Sequence, residues 1–202
     1  MSRQVAAALC ALILGSMASS SLGIAEQKTA KLVGTVGAAA SKASKDRPVH
    51  TTIKDLMQSM IDPSADVLWN AAGTVVDKEG IHELLPRTPE EWADVRHAAV
   101  RIVEGSNLLM MPGRDAAPAG DKSEAEGVEL EPPQITALVK KNRKSFDSFA
   151  RALQDLGAEA MRASDAKDVM LLMDIGARME SVCEGCHQTF WYPPEKPASA
   201  RK

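Results

Sequence analysis

Near its C-terminus the chain reads Cys183-Glu184-Gly185-Cys186-His187. On a helix, residues at i, i+3 and i+4 share one face, so two thiols and the imidazole that follows them project together. Thiols at that spacing reach the two vinyl groups on one edge of a porphyrin, and the adjacent imidazole then reaches the iron. Cys-x-x-Cys-His is the attachment signal of a c-type haem. Iron held by a histidine does redox or diatomic-ligand chemistry, according to what stands on its other face. Competing chemistries fit the pentapeptide less well. A thioredoxin-like dithiol sits between a strand and a helix and needs no histidine after its second cysteine, whereas the segments around this motif carry helical periodicity. A structural zinc site needs four ligands, yet the only other cysteine is Cys10, and His50, His82 and His97 show no paired spacing. The expected cofactor is one covalently attached haem c, with Cys183 and Cys186 as attachment residues and His187 as an iron ligand.

The beginning of the chain suits such a cofactor. Arg3 makes a short positive region, Val5 to Met17 are largely apolar, and Gly23-Ile24-Ala25 offers a small-x-small cleavage site. Residues 1–25 therefore read as a secretory signal that places the protein in the periplasm and is too short and weakly apolar to remain as a membrane anchor. Cleavage there removes Cys10 and leaves only the two motif cysteines, with no structural disulfide. The chain holds 24 basic and 27 acidic residues; Arg3 is the only charged side chain in residues 1–25, so the mature balance is −4. Mild acidity of this kind argues against a nucleic-acid partner, which requires a basic face. Some 175 mature residues support one domain. Aromatic residues are only 3% of the chain while alanine, leucine and methionine are plentiful, which favours closely packed helices over sheets.

The elements that must position the motif follow from periodicity. Residues 26–50, rich in alanine, glycine, serine and lysine, read as a flexible linker. A first helix opens at Thr51 or Thr52, with Ile53, Leu56, Met57, Met60 and Ile61 as its apolar stripe. At Asp62-Pro63 it kinks or restarts, and Val67 and Leu68 carry the apolar face on. A loop around Asp77 to Arg87 precedes Thr88-Pro89-Glu90-Glu91, a capping box with proline in the first turn. The second helix then carries Trp92, Val95, Ala99, Ile102 and Val103. Residues 112–132, rich in Pro, Gly, Ala and acid, read as a solvated crossover. The third helix spans Pro133 to about Arg162 on Ile135, Leu138, Val139, Phe146, Phe149, Leu153 and Leu156. The fourth starts at Ser164-Asp165 and runs through Val169, Leu172, Ile175, Met179 and Val182 into the motif. Pro193-Pro194 stops it before a polar tail, 193–202. The expected fold class is all-α, an antiparallel four-helix bundle over residues 51–192 with the haem near the end of the last helix.

A signal peptide, four helices and a single Cys-x-x-Cys-His at the end of the last helix together resemble the class II c-type cytochromes, the cytochrome c prime family. In the commoner small cytochromes c the motif lies near the N-terminus, so its position here is diagnostic of the resemblance. The likeness covers roughly Thr51 to Tyr192; the linker and the acidic crossover are longer than compact members carry. It implies Cys183 and Cys186 as thioether sites and His187 as proximal ligand. In high-spin members an apolar side chain of the first helix blocks the sixth iron position and leaves five-coordinate iron that binds NO or CO. In low-spin members a methionine of that helix fills it. Met57 matches the low-spin ligand, with Met60, one turn on, as the alternative. Because the two are at i and i+3, only one of them points at the iron. His97 lies off the second helix's stripe and reads as a surface residue rather than a second histidine ligand. Trp69 and Trp92 read as helix packing, and Trp191 with Tyr192 as a shield over the haem edge or a helix-end cap.

The function expected is one-electron transfer with redox protein partners, not enzymatic catalysis, since no nucleophile–base pair or phosphate loop is present. A gas-binding five-coordinate cytochrome and a haem subunit of a larger redox complex are the alternatives. Dimers are common in the family, and no exposed heptad here argues a homodimer independently.

Overall fold

A computed structural model describes residues 48–192. The expected signal (1–25), most of the expected linker (26–50) and the expected tail (193–202) lie outside the described residues. The protein is mostly helical, in the order α1 (Ile53–Leu56), a π-helical segment (Met57–Ile61), α2 (Asp62–Asn70), β1 (Gly73–Asp77), β2 (Gly80–Leu84), α3 (Pro89–Leu109), α4 (Pro132–Lys141), α5 (Arg143–Ala166) and α6 (Val169–Phe190). None of the helices among the described residues is long and apolar enough to cross a membrane.

Capping chemistry sets two of the starts. Thr52 Oγ1 accepts from the Asp55 amide at 3.1 Å while Asp55 Oδ2 accepts from the Thr52 amide at 2.8 Å, closing a capping box at the start of α1. Thr88 and Glu91 repeat that box at α3, at 3.1 and 3.0 Å. At Pro63 the chain stays helical: a π-helical segment gives way to a new α-helix that opens at Asp62 with the proline in its first turn. Proline has no N–H to offer the carbonyl four residues back, and its ring crowds that oxygen. The helix widens just before it, so that the Asp62 amide donates to the Met57 carbonyl five residues earlier.

Several sequence expectations need correction. The loop expected after the first helix contains an antiparallel hairpin, so the chain is not strictly all-α; Val75 pairs with His82 and Val76 with Ile81. β-Branched residues on both sides of an Asp-Lys-Glu-Gly turn explain it. Asp77 Oδ1 accepts from the Glu79 and Gly80 amides at 2.9 and 3.1 Å, and Gly80 takes φ 134°, which a side chain would strain. The long third helix is divided at Asn142 (φ −113°, ψ 38°), whose backbone and side-chain amides both donate to the Leu138 carbonyl. Ser164 does not start the last helix. It is buried within α5, its hydroxyl donating to the Ala160 carbonyl at 2.8 Å. The turn falls instead at Lys167, in the left-handed region at φ 56°, with the Asp168 side chain capping α6 through the Leu171 amide at 3.0 Å.

The crossover is not simply solvated either. Its first part lies along the start of α1, where the Ile53 and Lys54 amides donate to the Asp115 and Ala116 carbonyls at 2.9 Å each. Arg114 is 4% exposed and donates to the Thr51 and Leu108 carbonyls and to Thr51 Oγ1. Lys54 meets Asp121 and Glu124 of the acidic stretch at 3.2 and 2.9 Å. At the far end the Leu130 amide donates to the Trp191 carbonyl at 2.8 Å.

The core falls into two clusters. One gathers Ile61, Ala65, Leu68, Trp92, Val95, Ala98, Ala99, Ile102, Leu153, Leu156 and residues of α6 around α2, α3 and α5. The second gathers Ile53, Leu56, Leu109, Ala116, Ile135, Val139, Phe146, Ala150 and Phe190. Most of the residues read as apolar stripes are among them. α3 with α5 is the most extensive helix pairing, and small residues there (Ala98, Ala99, Gly157, Ala160) allow close approach.

Candidate functional site

The motif occupies the last turns of α6, where Cys183, Cys186 and His187 share one side of the helix. Cys183 packs against the first core cluster and Cys186 against the second; Met57 packs against both. Between the clusters lies a cleft of about 620 Å³, open solvent at its mouth included. Its walls come from three directions: Met57, Ile61, Asp62, Ala65 and Trp69 on the first helical stretch, Phe146, Phe149 and Leu153 on α5, and Cys183, Cys186 and His187 on α6.

Aromatic packing shapes the α5 wall. All three phenylalanines of the chain meet there. Phe190 stands edge-on to Phe146 at 5.5 Å and to Phe149 at 6.4 Å between ring centroids. The absence of a side chain at Gly185 lets Phe149 approach the motif backbone; a Cβ there would lie 3.1 Å from Phe149 Cε1. Trp69 closes another side, its Nε1 donating to the Gly176 carbonyl at 3.1 Å. His187 is followed by Trp191, whose ring centroid is 6.0 Å from that of the imidazole.

The electrostatics are those of an apolar cavity. Burial pushes the Cys183 thiol up to about 11, with the Asp62 charge adding to the effect. The Cys186 thiol is pushed up to about 12, again by burial first and then by Cys183. Reactive dithiols and nucleophilic cysteines need the opposite shift; these two are free, neutral thiols at neutral pH. Among the described residues no group of three or more His, Cys, Asp or Glu side chains is gathered to hold a bare metal ion. An apolar cleft lined by two unactivated cysteines, an imidazole and a methionine fits a large apolar ring carrying its own iron better than it fits zinc or dithiol chemistry.

Of the two methionines, the structure brings Met57 to the cleft and leaves Met60 out of its lining. The Met60 sulfur is 3.8 Å from the position a Cβ would take on Gly105 of α3. His97 is exposed on α3, and His82 meets Asp77 Oδ1 on the hairpin at 3.1 Å, so neither joins the motif. Trp92 is a core residue at 8% exposure.

Sequence reasoning missed Asp62, which lines the cleft although it sits beside a helix-breaking proline. Burial raises the pKa of its carboxyl and the His187 imidazole opposes that rise. Met57, Asp62 and His187 also line a second, more polar cleft of about 940 Å³ under the crossover, with Lys54, Glu124 and Tyr192. The one signal for Asp62 is the Asp-Pro pair itself, which in sequence marks a helix boundary and not a site. Compared with protein-family models, with curated proteins and with solved structures, the chain matches none of them.

Proposed function

We propose that this chain is an exported one-haem c-type cytochrome that passes single electrons between redox protein partners, its main helices forming an antiparallel four-helix bundle. The observation that carries the reading is the convergence of Met57, Cys183, Cys186 and His187 on one apolar cleft. Cys183 and Cys186 would hold the haem through thioethers, and His187 and Met57 would ligate its iron. The bound group supplies one-electron iron chemistry, with a methionine ligand raising the potential relative to two histidines.

The rest is done by the chain. Phe146, Phe149, Ile61 and Leu153 keep water from the cleft, which limits solvent rearrangement during electron transfer. Phe190 braces the two α5 rings behind the motif, and the Trp69–Gly176 hydrogen bond fixes the opposite wall. Arg114 and the Asp115–Ala116 carbonyls anchor the start of the helix that bears Met57, so the thioether is held rather than free to swing.

The test is production alongside a haem-attachment system, followed by visible spectroscopy and a denaturing gel. Haem should stay with the denatured chain and be lost from the Cys183→Ala, Cys186→Ala double variant. The oxidised protein should show a methionine–iron charge-transfer band that Met57→Ala abolishes and Met60→Ala retains. A high-spin spectrum with ready CO binding would replace electron transfer with gas binding. Retention of haem by the cysteine-free variant would overturn the attachment sites.

A further inference from the structure

The π-helical segment and the carboxylate that follows it belong together. In an unbroken α-helix the face begun by Met57 continues through residues at i+3 and i+4, namely Met60 and Ile61. The extra residue per turn changes this. The stretch that lines the cleft reads Met57, Ile61, Asp62, Ala65 and Trp69, without Met60. Single π-turns are rare and frequently mark functional positions. This one delivers an acidic side chain to a cavity whose other lining residues are apolar apart from the motif itself.

Asp62 is exposed to solvent on one side while it lines the cleft on the other, and none of the ion pairs among the described residues includes it. Once both cysteines are thioethers, Asp62 is the only carboxylate lining the cleft. It also lines the polar cleft on the other side of His187, so it stands at the junction of the two. Asp66, one turn further along the same helix, faces a different groove, with Glu83, Glu91 and Asp94.

We infer that Asp62 is a tuning residue, a fixed negative charge that the π-turn sets into the cleft wall to favour the oxidised, more positive state of the group held there and so to lower its reduction potential. This rests on the haem reading for its consequence, but not for the position of the charge. Because Asp62 is open to solvent on one side, its attraction for a more positive group is that of a partly screened pair near the surface, weaker than in a closed cavity but of the same sign. Asp62 is a positioning charge and not a ligand; no bond to it forms or breaks.

Two measurements separate the inference from the functional reading. In the haem-loaded protein, spectroelectrochemical titration of Asp62→Asn should show reduction favoured at least tenfold, about 59 mV for one electron. Asp62→Glu should restore most of the parent value, and Asp66→Asn should shift it much less. In the haem-free full chain, alkylation mapped by mass spectrometry should proceed severalfold faster at Cys183 in Asp62→Asn, because removing the facing carboxylate enlarges the thiolate fraction. Equal potential shifts from Asp62→Asn and Asp66→Asn would reduce the effect to overall charge and overturn the inference. An unchanged Cys183 rate would show that the carboxylate does not face the cleft, which overturns it whether or not haem binds. A chain that never takes up haem overturns the functional reading and the role toward iron with it, while the alkylation result still decides where the charge stands.

Discussion

Replacing Gly157 with alanine tests how tightly the frame around the cleft is packed. In a helix interior the substitution alone should stabilise by about 1 kcal/mol, since glycine carries the larger entropy loss. The structure reverses the sign. A Cβ at Gly157 would lie 2.8 Å from Ile102 Cγ2, 3.0 Å from Val103 Cγ2 and 3.2 Å from the Ala99 carbonyl oxygen. Ile102 is 0% exposed and has nowhere to turn, and the carbonyl moves only if the α3 backbone moves. Overpacking of this kind costs about 1–3 kcal/mol, and the backbone contact places it toward the upper end. The net expectation is a loss of about 1–2 kcal/mol, or roughly 2–8 °C in Tm for a domain of this size. Urea unfolding of the haem-free protein followed by circular dichroism reads it directly, with Gly73→Ala as control because nothing lies within 4 Å of a Cβ there. A Gly157→Ala protein as stable as its parent, with an unchanged m-value, would refute the account of the α3–α5 contact.

Two further outcomes are expected. The folded haem-free chain keeps its motif thiols neutral to about pH 11 and 12, against 9.0 for an ordinary cysteine. The unfolded chain ionises first, so stability is full below pH 9 and is lost as pH rises through the folded values. Thioether sulfurs carry no proton, so the haem-loaded protein should lack this alkaline loss in parallel urea titrations; identical curves would speak against attachment at Cys183 and Cys186. At Gly176 a Cβ would stand 3.2 Å from Trp69 Cδ1, so Gly176→Ala should lift the indole and weaken its hydrogen bond, a loss of about 1 kcal/mol that the helix gain from replacing glycine roughly offsets. Trp69 emission, isolated in a Trp92→Phe, Trp191→Phe background, should shift to the red; an unmoved spectrum would mean that the ring does not rest on the α6 backbone.

What the sequence displayed were features whose physics is local. The Thr88–Glu91 box is complete within four residues, and the stripes of α3, α5 and α6 need only the helical period. Cys183, Cys186 and His187 announce themselves by spacing. Other features depend on partners far along the chain. Nothing local says that Arg114 folds inward, because its acceptors at Thr51 and Leu108 are assembled only when the crossover lies against α1. The hairpin was legible in principle from Val75-Val76, Ile81 and the turn between them, but low aromatic content directed the reading toward helices. Met57 stood ahead of Met60 by resemblance alone; the place of Asp62 in the cleft depends on the π-turn, a response of the whole helical stretch to Pro63 that a fixed period of 3.6 cannot express.

The separation along the chain of the contacts that hold the two walls of the cleft has a consequence for assembly. α5 and α6 are joined only by Lys167 and Asp168, so the thiols, the imidazole and the rings of Phe146 and Phe149 ride on a hairpin whose halves meet early, with little loop to close. The start of the Met57 helix is held instead by Arg114, Asp115 and Ala116, some 60 residues further along the chain. Chain entropy therefore favours an order of events in which the attachment side takes shape first and the thioether wall closes over it last.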